Sequence, residues 1–325
     1  MLRQCALATA LFAAAAIVPH GARAESADSF PSRPITVVVP FAPGTTADLL
    51  FRGLGEIASK ELGQAVVIEN RVGGQATLGP ANMAANAKPD GYTIAQIPIT
   101  VFRVPVMQKA TFDPVKDFTY IIMVAGYSLG AVVKADGPFK KWQDVIDYAK
   151  ANPGKFSYTT VGRSSTNSIA MELMSEQSGV KFTHVPGKGG GEGLSAVLGG
   201  HVSALVESPS WAPLVDSGEL RLLVMLGSQR SKKWPDAPIL KELGYTYEFD
   251  SPFGLAGPKG MDPAIVKKLH DAFKKAYDDA SIPPLYDKFD FTRRYLNTAD
   301  YQAFVPKFAA SEREALTKLG LAKKE

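Results

Sequence analysis

Cysteine is almost missing: Cys5 is the single one among 325 residues. One thiol cannot close an intrachain disulfide, and it excludes the multi-cysteine sites that hold structural zinc or iron–sulfur clusters. Histidine is scarce too, with four in the chain, which leaves little for metal binding or acid–base chemistry. Neither charge sign dominates. The 36 basic and 32 acidic residues are spread without long blocks, for a formal net charge of +4. A nucleic-acid-binding chain concentrates its basic residues on one stripe, and none is visible here. At 46% hydrophobic and 21% charged, the chain is too apolar for disorder. The length suffices for two domains of about 100–200 residues, each with its own core.

What is present begins with an export signal. Arg3 supplies a positive start, and Cys5–Val18 is apolar or small apart from Thr9. Pro19, His20 and Gly21 break the run, and Ala22-Arg23-Ala24 has the small-x-small pattern of a cleavage site. The apolar run is too short to span a bilayer. The expectation is a periplasmic protein, cleaved after Ala24, that loses Cys5 with its leader. No later apolar stretch is long enough to cross a membrane.

Strand and helix patterns then alternate. Strands fit Ile35–Phe41, Val66–Glu69, Tyr92–Gln96, Thr119–Val124, Gly130–Val133, Ser157–Thr160, Phe182–Val185, Ala204–Glu207 and Leu220–Met225. Helices fit between them, at Ala47–Leu62, Leu78–Ala87, Trp142–Ala151, Ser165–Ser178, Gly193–Leu198 and Trp211–Ser217. Short apolar strands separated by helices predict an α/β protein with mostly parallel sheets. Long amphipathic helices at Pro263–Asp279 and Ala299–Leu319 close the chain, the second with Thr298 as its expected N-cap. No flexible linker is apparent, so the domains are expected to be joined by strands that cross between them.

Three segments could hold a ligand. Pro40–Asp48 turns from the first strand into the first helix, where unpaired amides of Thr45, Thr46 and Ala47 offer an anion site. The competing reading is a plain threonine cap. Thr159–Ser168 repeats the strand-to-helix arrangement and adds the Arg163 guanidinium, a fit for a carboxylate or phosphate. Its competing reading is a polar loop with Ser165 as N-cap and Arg163 in solvent. Pro186–Gly193 is glycine-rich, but Gly187-Lys188 lacks the following hydroxyl of a phosphate-binding loop. Five glycines in seven residues satisfy a relaxed dinucleotide pattern too easily to carry that reading. Catalytic constellations are thin: there is no Gly-x-Ser-x-Gly elbow, and His184, His201 and His270 are far apart. No cofactor is expected.

Laid end to end, these segments resemble the substrate-binding receptors of tripartite tricarboxylate transporters, the Bug-type periplasmic proteins. The resemblance is carried by Phe30–Ile35, by Val39–Gly44 with Asp48, and by Leu62-Gly63-Gln64 through Arg71. It continues through Lys88-Pro89-Asp90-Gly91-Tyr92-Thr93, Phe112–Phe118, His184-Val185-Pro186 with Lys188-Gly189, Leu198–Gly200, Gly218-x-Leu220-Arg221 and Pro235–Pro238. It implies a two-domain, Venus-flytrap α/β fold of the periplasmic-binding-protein type around a cleft. Residues 25–124 with 227–325 would form one domain and 125–226 the other. It also implies a protein, monomeric and not an enzyme, that closes on a small organic carboxylate and hands it to integral-membrane transporter subunits. The ligand residues carried over are Phe41, Gly44, Thr45, Thr46 and Asp48 from the first loop and Gly162, Arg163, Ser164, Ser165 and Thr166 from the second. Lys188, Gly189 and Gly190 come from the glycine turn, and Thr100, Glu207 and Trp211 complete the set.

The departures from the family pattern bear on the ligand. Thr45 stands where a second glycine is usual, Arg163 where the second loop has asparagine, Ser168 where it has histidine, and Gly187 where a tyrosine is common. Arg163 facing the far end of the ligand would favour a dicarboxylate. Trp211, where small residues are frequent, would instead wall an aromatic acid. Two other functions remain open: a ligand-sensing partner of a receptor kinase, and a periplasmic enzyme on the same scaffold.

Overall fold

The computed structural model describes residues 28–187, 190–247, 249 and 251–323; the expected leader and its cleavage site lie outside them. Ile35–Val39 (β1) is β-branched at every position, so it extends and sends alternate side chains to opposite faces. Val37 and Val39 enter one core and Val38 another. Burial on both faces is why the run is apolar throughout.

From β1 the chain continues through α1 (Thr46–Leu62), β2 (Val66–Asn70), α2 (Leu78–Asn86), β3 (Thr93–Ile97), α3 (Thr100–Met107) and β4 (Phe118–Gly126). It next forms β5 (Gly130–Lys134), α4 (Trp142–Ala151), β6 (Ser157–Thr160), α5 (Thr166–Gln177) and β7 (Thr183–Pro186). Then come α6 (Gly191–Leu198), β8 (Ala204–Glu207), α7 (Ala212–Asp216) and β9 (Leu220–Met225). Last are β10 (Pro252–Pro258), α8 (Pro263–Asp278), α9 (Pro283–Lys288), β11 (Thr292–Leu296) and α10 (Thr298–Lys318).

Two sheets result, a six-stranded one in the order β11-β4-β10-β3-β1-β2 and a five-stranded one in the order β7-β6-β8-β5-β9. Each carries helices on both faces and so forms a lobe with two cores. In the larger lobe α1, α8 and α9 cover one face and α2, α3 and α10 the other. In the smaller lobe α4 and α5 lie opposite α6 and α7. The chain passes from β4 to β5 through Tyr127–Leu129 and returns between β9 and β10.

Two expectations need correction. The sheets are mixed, not mostly parallel. The βαβ units pair in parallel, β1 with β2 and β3, and β6 with β7 and β8. The strands next to each lobe crossing run the other way: β5 is antiparallel to β8 and β9, and β10 lies antiparallel between β3 and β4. A strand entered from the other lobe needs no crossover helix on its own sheet, so nothing forces it parallel. The N-cap of α10 is Asn297, whose side chain accepts from the Asp300 amide at 2.9 Å, while the Thr298 hydroxyl donates to the Ile121 carbonyl at 2.7 Å. Among the described residues no helix is long and apolar enough to cross a membrane.

The centre of the larger lobe depends on Gly254. β10 has a register shift between Phe253 and Gly254. A Cβ at 254 would stand 2.3 Å from the Ile122 carbonyl oxygen and 2.7 Å from both Met123 Cα and the Tyr301 ring. Two of these neighbours are backbone and cannot rotate away. Gly254→Ala is expected to cost about 1–3 kcal/mol of stability. Thermal unfolding checks it, and an unchanged midpoint would show that β10 slides to make room.

Candidate functional site

The carboxyl ends of β1 and β8 and the N-termini of α1 and α5 converge on one cavity between the lobes. Its floor on the larger lobe is the loop after β1. Gly44 takes φ +80° there, which a residue with a side chain adopts only at a cost. The turn is held from behind by Asp48, 1% exposed. Its carboxylate accepts from the Gly44 amide at 2.8 Å, Arg52 Nε at 3.0 Å and Asn70 Nδ2 at 2.8 Å. Burial pulls the Asp48 pKa up, but the hydrogen bonds from Arg52, Gly44 and Asn70 outweigh it and hold the carboxyl below its ordinary value. Asn70 also donates to the Phe41 carbonyl at 2.9 Å, which ties β2 to the loop. Asp48 and Gly44 therefore shape the loop without lining the cavity.

Thr45 and Thr46 do line it. Thr45 is the N-cap residue of α1, yet its hydroxyl donates to the Ala42 carbonyl at 2.8 Å and caps nothing. The amides of Thr46 and Ala47 have no partner inside the helix, and both residues line the cavity. The second loop mirrors this. Ser165 caps α5, accepting from the Ser168 amide at 3.2 Å, and its hydroxyl donates to the Gly162 carbonyl at 2.7 Å. Ser165, Thr166 and Asn167 face the same cavity from the smaller lobe. Asn167 Nδ2 donates to the Val206 carbonyl at 2.5 Å and fixes α5 against β8. Between these polar ends the wall is apolar, from Phe41, Pro98, Ile99, Leu129 and Val161.

Polar contacts join the lobes around the cavity, the Thr166 hydroxyl donating to Ser251 Oγ at 3.3 Å among them. The Thr46 and Ser208 hydroxyls lie 3.0 Å apart, and the Ser164 amide donates to Gln75 Oε1 at 2.8 Å. Arg103 is buried in an ion pair with Glu312 at 2.5 Å and donates to the Thr166 hydroxyl at 2.9 Å. Gly162, at φ +133°, permits the Gln75 approach: a Cβ there would lie 3.1 Å from Gln75 Cγ.

The expected ligand residues divide into those that meet and those that do not. Phe41, Thr45, Thr46, Thr100, Ser165, Thr166 and Glu207 share the cavity wall. Thr100 Oγ1 is buried without a hydrogen-bond partner among the described residues, a free group on that wall. Gly162 and Ser164 build the second loop behind it, and the Gly190 amide donates to both Glu207 oxygens at 2.9 Å. Arg163 is exposed and does not line the cavity. Its charge falls instead on Glu172 and His184. Trp211 is fully buried in the smaller lobe's core, its indole donating to the Glu207 carbonyl at 3.1 Å, so it props the site from behind and walls nothing. Lys188 and Gly189 lie outside the described residues. His184 packs on Tyr158 with ring centroids 4.9 Å apart, and its Nε2 lies 2.8 Å from the Thr160 hydroxyl. Burial, then the Arg163 charge, push its pKa down to about 4, so it is neutral near pH 7.

Tyr127, Asn167, Ser208 and Ser251 also line the cavity and were not in the expected set. Ser208 follows the carboxyl end of β8, the position at which open α/β sheets hold ligands, and Asn167 lies inside the second motif. Tyr127 and Ser251 sit where the chain crosses between lobes, and no local pattern marks such a position.

Residues 50–321 match the family described as Tripartite tricarboxylate transporter family receptor. The chain is 48% identical to a Cupriavidus necator protein, "UPF0065 protein in gbd 5'region", over 91% of this chain and 90% of that one. It superposes on the periplasmic binding protein BugD with a TM-score of 0.84 and 26% identity, covering 91% of this chain and all of that one. An R. palustris protein solved with adipate gives the same TM-score at 28% identity, over 90% of this chain and 99% of that one. The two-lobed α/β fold, the cleft between two strand-to-helix turns and the family match over most of the chain agree: this protein belongs to the tripartite tricarboxylate transporter receptors, a family of binding proteins and not of enzymes.

Proposed function

We propose that the protein is a periplasmic solute receptor that captures a small dicarboxylate and delivers it to a tripartite tricarboxylate-type membrane transporter. The observation that carries the ligand class is the convergence of two helix N-termini, α1 and α5, on opposite walls of one cavity whose described lining contains no lysine or arginine. Each offers unpaired amides and a positive helix end to one carboxylate. The apolar wall between them suits a short aliphatic chain, and the adipate bound to the R. palustris relative has that form. Export rests on the Arg3-to-Ala24 segment, with cleavage after Ala24. The smaller lobe runs past the expected boundary at 226, because Ala237, Ile239, Leu240 and Tyr245 pack in its cores. The two domains that would close on the solute are therefore residues 25–124 with about 250–325, and residues 125 to about 249.

Calorimetry with adipate and hexanoate tests the ligand class. Losing one charge-assisted set of hydrogen bonds is worth about 1.5–3 kcal/mol, so the diacid is expected to bind at least about tenfold tighter. Arg163→Ala should leave that preference intact, because the side chain is exposed. Equal affinities for the two acids would sink the dicarboxylate reading.

Closure is tested separately. The Thr46–Ser208, Gln75–Ser164 and Arg103–Thr166 contacts span the lobes, and so does the apolar cluster of Val106, Ile169, Leu173 and Leu316, which the solute's two-sided grip would reinforce. The empty protein is expected to open in solution and to close on a ligand that touches both walls. Small-angle scattering should show a smaller radius of gyration with saturating adipate; an unchanged radius would refute a two-lobe clamp.

A further inference from the structure

We infer that Glu207 meets the solute as a neutral acid, giving a hydrogen bond to a ligand carboxylate, so that capture takes up a proton. This rests on the dicarboxylate reading above. Glu207 closes β8, is 6% exposed and lines the cavity. Its two oxygens share one backbone donor, the Gly190 amide at 2.9 Å from each, and Oε2 lies 3.4 Å from the Ser210 hydroxyl. Among the described residues no cation pairs with it. An anion site is thus built around a carboxyl group that no described residue neutralises, and two carboxylates brought together there cannot both stay ionised.

The surroundings are consistent with a proton on Glu207. Burial pushes its pKa up to about 7, and the Gly190 and Ser210 hydrogen bonds hold it from going higher. Tyr127 is the other titratable group on the cavity wall; burial and the Glu207 charge keep its phenol protonated, although Gln96 donates to its oxygen at 2.8 Å. The neighbouring wall from α1 and α5 offers Thr46, Thr166 and Asn167, none of which titrates. Asp48 is held behind the first loop by Arg52 and Asn70, and Arg103 is spent on Glu312 and Thr166.

The sign follows. With the lobes placed as here and no ligand, Glu207 loses its proton as pH rises through about 7, whereas the loaded protein keeps it, so its pKa is higher when ligand is bound. Binding is therefore unaffected below that point and weakens above it by up to about tenfold per pH unit. A dicarboxylate is itself dianionic over the whole range.

Adipate titrations at pH 6, 7 and 8, each in two buffers of different ionisation enthalpy, read both affinity and proton count. The expected result is almost no proton uptake at pH 6, close to one proton per adipate at pH 8, and a Kd that rises up to about tenfold between pH 7 and 8. Glu207→Gln keeps an acceptor for Gly190 and a donor for the solute, so its Kd should be flat with pH and lower than that of the wild type at pH 8. A flat wild-type profile, proton release on binding, or pH dependence that survives in Glu207→Gln would each overturn the inference. If neither protein binds adipate or a shorter dicarboxylate at pH 6, the dicarboxylate reading itself fails and takes this one with it.

Discussion

Unpaired amides at the start of a helix must find a partner, and here two such ends, on α1 and α5, look into the same space. Much of the local construction serves to hold them there. Asp48 gathers Gly44, Arg52 and Asn70 so that the first loop presents backbone and not side chains. Ser165 closes the second loop on the Gly162 carbonyl. The two sheets supply rigid platforms, because β1 and β6 end just before these loops and both are buried on both sides. Among the described residues the helix dipoles give the site its sign, with no lysine or arginine on the wall that would have to be desolvated when the lobes close.

Much of this was legible in the sequence, because the signal was local. Strand β6, β8 and β9 and helix α4 fall on the expected residues, and the two strand-to-helix motifs are the ones that meet. What escaped was non-local. β10 reads Pro-Phe-Gly-Leu-Ala-Gly-Pro, a composition that disfavours strands, and it is a strand because β3 and β4 flank it and its residues are buried throughout. α3 carries valines and Pro105, which hide its helical period. Arg163 and Trp211 were placed by loop position alone. Which way a side chain leaves a loop depends on packing that one sequence does not display. A guanidinium at a polar loop goes to water unless a partner repays its desolvation, and an indole beside Trp234, Val132 and Leu220 goes to the core.

The polar contacts across the cleft are mostly made by small, neutral groups: a threonine to a serine, a glutamine to an amide, and a glycine loop against Thr45. Beside them, Val106 and Leu316 of the larger lobe pack with Ile169 and Leu173 of the smaller one in a buried apolar cluster. The polar contacts exchange for water at little net cost. Closing therefore draws on the solute and on the apolar cluster together, with the polar contacts adding little. Arg103 is the exception, since its charge is already paired with Glu312 inside the larger lobe and it reaches Thr166 with a spare donor.

Trp211 has one more consequence. The chain's tryptophans are Trp142, Trp211 and Trp234, and all of them pack in the cores of the smaller lobe. The molecule's intrinsic fluorescence is accordingly a label on one lobe, and the larger lobe is dark at tryptophan wavelengths. Trp211 is joined through its indole N–H to the carbonyl of the residue whose side chain faces the cavity, so its emission reads the electric field of the site from underneath, where no solute can quench it by contact.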